Sequence, residues 1–159
     1  GVIFGTTGGV MEAALRSAHY LVTGRNPDPD AFKIVRNPGG QPGVVDAEIQ
    51  LGDATVRAAV VSGLGNTRKL IEAIEHGEVH YDFVEVMACP GGCVAGAGQP
   101  FARSTEKRLR AEGLYKNDKA LQIKRSENNP IVKNLYDDLL KNREHELLHV
   151  HYPGHKADA

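Results

Sequence analysis

Tryptophan is absent from the 159 residues, and aromatic side chains make up only 6%. So few aromatics offer no stacking platform for single-stranded nucleic acid. Neither sign of charge is in excess: 19 Lys and Arg stand against 20 Asp and Glu, a net charge of −1. This balance excludes a strongly basic nucleic-acid binder and an acidic disordered tail. No apolar run approaches the roughly 20 residues that cross a bilayer as a helix. The opening residues also lack the charged-then-apolar order of a secretory leader. Only two cysteines are present, too few for a disulfide-dense scaffold. The sequence therefore predicts a cytoplasmic protein without a membrane span or a nucleic-acid partner.

What is present suffices for one domain. Hydrophobic residues make up 41% of the chain, enough for a core at this length. The 18 glycines are about one and a half times average usage. Gly1-Val2-Ile3-Phe4-Gly5 reads as the interior of a domain rather than its start.

The pattern along the chain predicts α/β architecture: a small, mostly parallel twisted sheet flanked by helices, with a helical C-terminus. A helix is expected over 6–24, capped by Thr6 or Thr7 and stopped by Gly24. Val10, Met11, Ala14, Leu15, Ala18, Leu21 and Val22 recur at three- and four-residue spacing and form its inner stripe. A short strand is expected over Lys33–Arg36. Two more follow, Val45–Leu51 and Thr55–Ser62, joined by Gly52-Asp53. Ala58-Ala59-Val60-Val61 is continuously apolar, as in a strand covered on both faces. A helix from Asn66 to about His76, with Leu70, Ile71 and Ile74 inward, then leads to a strand over Tyr81–Met87. Strand, helix, strand in that order predicts a parallel pair. Later helices are expected over Arg103–Glu112, from Asn129-Pro130 onward with Ile131, Leu135, Leu139 and Leu140 inward, and over Glu144–His149. Residues 153–159 read as a disordered tail.

Both cysteines fall in one segment, Glu85-Val86-Met87-Ala88-Cys89-Pro90-Gly91-Gly92-Cys93-Val94-Ala95-Gly96-Ala97-Gly98-Gln99-Pro100. Two thiols that close together read as a soft-metal site. Cys89 leaves the C-terminal end of a predicted strand, where open α/β sheets place ligands. Gly91 and Gly92 remove side chains, so the backbone can approach a bulky inorganic group, and Gly96 and Gly98 do the same on the far side. The alternative is a pair of buried structural cysteines in a turn, which would not need such clearance. Two thiolates do not complete a cubane, which takes four. The remaining ligands must come from another polypeptide or from the rest of a larger catalytic domain.

These residues carry a resemblance. Glu85–Pro100 resembles the third cysteine signature of the iron-only (FeFe) hydrogenases. Gly5-Thr6-Thr7-Gly8-Gly9-Val10-Met11-Glu12-Ala13-Ala14-Leu15-Arg16 resembles that family's glycine-led helix. Asn129-Pro130, Leu135-Tyr136 and His145-Glu146-Leu147-Leu148-His149-Val150-His151-Tyr152 resemble its C-terminal end. Ala97 stands where glycine is usual and Val150 where threonine is common. The resemblance implies that residues 1–152 are the C-terminal lobe of a hydrogenase catalytic domain, which interconverts dihydrogen with protons and electrons. It implies the H-cluster, a 4Fe-4S cubane joined to a diiron unit, with Cys89 as a terminal cubane ligand and Cys93 as the bridging thiolate. Phe4 and Met87 match residues packed around the diiron unit, beside Gly91 and Gly92. The other two cluster cysteines, the relay cysteine and the cyanide-binding lysine belong to signatures not found in this sequence, so the chain alone is expected to be inactive. The implied partners are the remaining lobe and a ferredoxin or other redox carrier. Without that lobe, apolar surface around Phe4, Met87 and Met11 is expected to be exposed, giving self-association of the isolated chain or disorder in the cysteine loop.

Two other readings stand beside this one. A non-catalytic iron-sulfur binding or assembly module would keep the same cysteines. A zinc metallopeptidase would use His145-Glu146-Leu147-Leu148-His149, whose two histidines share a helix face, with His151 or His155 as third ligand. Gly8-Gly9 and Gly63-Leu64-Gly65 resemble anion-binding turns, but neither completes a phosphate-binding motif, and both read as structural turns. The charged stretch Arg103–Arg110 reads as a solvated helix face.

Overall fold

The computed structural model describes residues 1–37 and 43–150. The chain divides into two compact units, Gly1–Lys124 and Arg125–Ala159.

In the first unit three strands form one sheet. Strand β1 (Gly43–Leu51) and strand β2 (Ala54–Ser62) pair antiparallel, with Leu51 opposite Ala54 across the expected Gly52-Asp53 turn. Strand β3 (Phe83–Met87) joins β2 in parallel, with Ser62 opposite Met87. The order β1-β2-β3 leaves β2 in the centre, and one antiparallel and one parallel pairing make the sheet mixed rather than mostly parallel. Helix α1 (Gly9–Thr23) covers one face, where Met11 and Leu15 meet Phe32, Val35, Ala47, Ile49, Leu51, Ala58 and Val60. Helix α2 (Leu64–Glu75) covers the other through Leu70, which packs with Ala59 and Val61. Alternate residues of β2 thus feed two cores, so its run of Ala and Val is apolar without interruption.

Helix α3 (Ser104–Ala120) is longer than the expected Arg103–Glu112. It lies against the 3-10 turn Val2–Gly5, with Leu114 over Gly5. The Lys33–Arg36 segment is not a strand but a 3-10 turn over Lys33–Val35, with its amides bonded locally to Asp30 and Phe32. The inner stripe of α1 is narrower than its spacing suggests: Met11 and Leu15 are buried, whereas Val10, Leu21 and Val22 are exposed. On α2, Ile71 and Ile74 also face outward. In both helices a three-strand sheet is too narrow to cover a full apolar stripe.

The second unit carries α4 (Pro130–Asp137) and α5 (Glu144–Leu148). Asn129 caps α4, its side-chain oxygen accepting from the Ile131 N–H at 3.0 Å. Leu140 is buried, whereas Ile131, Leu135 and Leu139 are exposed. The expected tail, 153–159, lies outside the described residues.

Candidate metal centre

The parallel pair ends at the cysteine loop. Beyond Met87, the last residue of β3, the Gly63 N–H donates to the Met87 carbonyl at 2.8 Å. Cys89-Pro90-Gly91-Gly92 then forms a turn closed by the Gly92 N–H on the Cys89 carbonyl at 2.9 Å. Proline second and a glycine at φ +93° third are the residues of a type II turn. The Ser62 hydroxyl accepts from the Gly91 N–H at 3.2 Å, which ties the turn to the end of β2. A 3-10 turn over Cys93–Ala95 follows, and the Gly96 N–H donates back to Cys93 at 3.2 Å. Both thiols are free, Cys89 half-buried and Cys93 exposed.

The glycines of the loop differ in what surrounds them. A Cβ on Gly92 would lie 2.7 Å from the Gly5 carbonyl oxygen and 2.8 Å from the Thr7 nitrogen. The room at Gly92 is therefore filled by the chain's own 5–7 segment and is not clearance for an inorganic group. At Gly96 the Cβ position is 3.1 Å from Cys89 Sγ, so a side chain there would crowd that sulfur. Gly98 has open space around it. Gly91 and Gly92 are buried, Met87 is half-buried and Phe4 is 42% exposed. Phe4 belongs to the turn whose Gly5 touches the loop. Met11, expected at the open apolar surface, is instead fully buried in the α1 core.

Beneath the loop lies a carboxylate whose role the sequence did not reveal. Glu85 is buried in β3, and its two oxygens accept from the Gly8 and Met11 N–H groups, each at 2.6 Å. Neither Thr6 nor Thr7 caps α1: Gly8 occupies the cap position without a side-chain cap bond, and Glu85 satisfies the first-turn donors from another element. The Gly8-Gly9 turn is thus an anion site filled by an internal anion. Burial pushes the Glu85 carboxyl above its ordinary value, while the amides of Met11, Gly8 and Val10 pull it down. A Glu between Val84 and Val86 in an otherwise apolar strand was the available signal. The Thr6 hydroxyl donates to the Ile3 carbonyl at 3.0 Å and meets the Tyr115 hydroxyl at 2.9 Å. The Thr7 N–H donates to Gly91 at 3.4 Å, and its buried hydroxyl has no hydrogen-bond partner.

Behind α1 a charged network joins three segments. Arg16 donates to both Asp118 oxygens at 3.1 and 2.9 Å and to Glu12 at 2.7 Å. Arg36 donates to both oxygens of the fully buried Glu12 and lies over the Tyr115 ring. Burial lowers the Arg16 pKa, but its bonds to Asp118 and Glu12 more than offset this, and it stays above the usual arginine value. On α3, Arg110 departs from the expected solvated face: its guanidinium donates to the carbonyls of Val94 at 3.0 Å and Pro100 at 2.9 Å.

Among the described residues the zinc pattern does not form a site. The His145 and His149 rings meet edge to face with centroids 4.6 Å apart, and Glu146 is paired with Arg143 at 3.1 Å. Helix α5 is only five residues long. His151 and His155 lie outside the described residues. Among the described residues no three His, Cys, Asp or Glu side chains converge on a metal position, and no helix is long and apolar enough to cross a membrane.

Residues 1–97 match the family described as iron only hydrogenase large subunit, C-terminal domain, and residues 104–154 match the iron hydrogenase small subunit family. The NADP-reducing hydrogenase subunit HndD of Solidesulfovibrio fructosivorans is 42% identical, the alignment covering 94% of this chain and 26% of that protein. The cytosolic iron-sulfur assembly component 3 of Rattus norvegicus is 31% identical, covering 93% of this chain and 31% of that one. An apo FeFe hydrogenase from Chlamydomonas reinhardtii has a similar structure, with a TM-score of 0.70 and 38% identity over 94% of this chain and 45% of that one. The chain thus spans about a quarter to a third of the length of the curated relatives it matches.

Proposed function

This chain belongs to the iron-only hydrogenase family, and from that membership we propose that residues 1–152 are the C-terminal lobe of a catalytic domain that interconverts dihydrogen with protons and electrons. The carrying observation is the cysteine loop: the chain's two thiols stand on one turn, neither of them buried. Cys89 and Cys93 would supply two of the four thiolates a cubane takes, so the donor set fits half of the cubane's ligand shell. When bound, that cluster would supply the redox chemistry that interconverts dihydrogen with protons and electrons.

The chain's own residues prepare the place. Pro90 and the two following glycines turn the backbone sharply after β3, so both thiols stand at the end of the parallel pair. Gly96 keeps the space beside Cys89 Sγ free of a side chain. Phe4 and Met87, both partly exposed, are the apolar side chains assigned to face the cluster, and Gly91 and Gly92 the backbone assigned to lie beside it. Both thiols would have to lose their protons to hold iron, so uptake would release protons. The remaining lobe supplies the other thiolates, and a ferredoxin or other redox carrier exchanges electrons with the assembled centre. We place the protein in the cytoplasm, where its unpaired thiols stay reduced.

Iron analysis tests the reading. The isolated chain should hold little or no four-iron cluster, addition of the missing lobe should restore it, and Cys89→Ala or Cys93→Ala should prevent that restoration. A stable four-iron cluster on this chain alone would overturn the half-site reading. A second reading, a non-catalytic iron-sulfur assembly module, is favoured by the similarity to the rat assembly component. Full occupancy of cluster and diiron unit in the joined lobes without hydrogen evolution would select it.

A further inference from the structure

We propose that Arg110 is the positioning residue of the cysteine loop, closing it from α3 and thereby fixing the surroundings of both thiols. The proposal deepens the cluster reading and rests on it for the consequence, but the geometry stands by itself.

Arg110 is half-buried, and its two terminal nitrogens bond the carbonyls of Val94 and Pro100. These carbonyls bracket Ala95–Gln99, which includes Gly96 and Gly98. Such a segment loses much conformational freedom when ordered. Packing does little to order it, since Ala97, Gly98, Gln99 and Pro100 are all exposed. Its backbone bonds are short turns, Gly96 N–H to Cys93 and Gln99 N–H to Gly96. Arg110, by contrast, stands on a fixed base. Ala111 beside it is fully buried, Tyr115 one turn on meets Thr6, and Asp118 two turns on holds Arg16.

The planar guanidinium suits this task because it presents donors to two carbonyls at once, whereas a lysine ammonium on a flexible stem has no such fixed fork. The consequence reaches the sulfurs through the backbone. Val94 follows Cys93 directly, and the Gly96 Cβ position is 3.1 Å from Cys89 Sγ. Movement of the 94–100 segment therefore changes what surrounds both thiols, and the backbone amides and solvent around cluster sulfurs set the cluster's potential.

The test uses the full chain with Arg110→Lys and Arg110→Ala. Circular dichroism and thermal melting confirm the fold, and amide hydrogen exchange is read at Gly96 and Gln99. Both variants should exchange roughly tenfold faster there, the effect expected for loss of one or two hydrogen bonds from a charged donor. Exchange in β2 should stay unchanged, and added methylguanidinium should restore protection in Arg110→Ala. If Arg110→Lys protects as the natural chain does, charge alone suffices and the fork proposal is wrong; unchanged exchange in both variants also overturns it. If Arg110→Ala does not fold, Arg110→Lys decides. A second measurement joins the chain to the remaining lobe with a reconstituted four-iron cluster. The electron paramagnetic resonance line positions should shift in Arg110→Lys despite the retained charge, and unshifted lines would sink the link to the cluster. Failure of the natural chain to take up any cluster in that complex would defeat the hydrogenase reading and leave the exchange result to judge Arg110.

Discussion

The Glu85 carboxylate accepts the Met11 N–H at 2.6 Å, across 74 positions of sequence. That bond, with its twin to Gly8, fastens the start of α1 to the strand that delivers Cys89. Negative charge at the positive end of a helix is favourable, but here the carboxylate is taken out of water to reach it.

Glu85→Gln keeps one acceptor oxygen for two donors and should cost about 1–3 kcal/mol of stability in denaturant unfolding. Glu85→Ala should cost more, since it also leaves a cavity. The pH dependence has a definite sign. Burial raises the folded carboxyl above the ordinary value of 4.5, so the folded chain holds the proton more tightly than the unfolded one. The group's contribution is then fully present below about pH 4.5 and declines as pH rises through the raised value. The advantage of the natural chain over Glu85→Gln should shrink from pH 4.5 towards neutrality. An advantage that grows instead would mean that the amides outweigh burial.

Gly92→Ala should distort the cysteine loop. The residue sits at φ +87°, and the added methyl would meet backbone atoms at 2.7 to 2.9 Å. Conformational strain alone costs about 1–3 kcal/mol, and backbone neighbours cannot move aside as a flexible side chain does. A lowered unfolding midpoint and a changed alkylation rate at Cys93 are the expected readouts.

Asp118→Ala should be among the most damaging changes outside the loop. It leaves the guanidiniums of Arg16 and Arg36 sharing Glu12, all three largely buried. Removing one partner from a buried ionic group costs about 3–5 kcal/mol, measurable by urea unfolding.

The isolated chain should self-associate through apolar side chains left open. Phe4, Val10 and Val86 are 42%, 37% and 47% exposed, and exposed apolar patches mark interfaces. Light scattering should report species larger than a monomer, Phe4→Ser should reduce them, and the missing lobe should replace them with one defined complex. A monodisperse monomer would contradict this.

Elements bounded by strong local chemistry were legible in the sequence. Gly52-Asp53 marked the hairpin, Asn129-Pro130 the start of α4, and the unbroken Ala58–Val61 run the central strand. Helix α3 was cut short because its inward residues are Ala111, Leu114, Tyr115 and Asp118, a stripe that hydrophobicity does not register. The Lys33–Val35 turn looked like a strand because Ile34 and Val35 favour extended backbone, yet Asp30 and Phe32 offered nearer acceptors. The cysteine spacing marked the candidate site, but Glu85 and Arg110 act through partners that only the fold brings close. Each satisfies backbone groups, which leave no trace in residue identity.

The contact of Gly92 with Gly5, Thr6 and Thr7 bears on any attempt to transplant the cysteine loop. A peptide copying 85–100 alone would carry the thiols without the ledge on which they rest. A designer seeking the same presentation in a miniature scaffold must import the 5–8 stretch together with the cysteine turn, because neither half prescribes its shape in the other's absence.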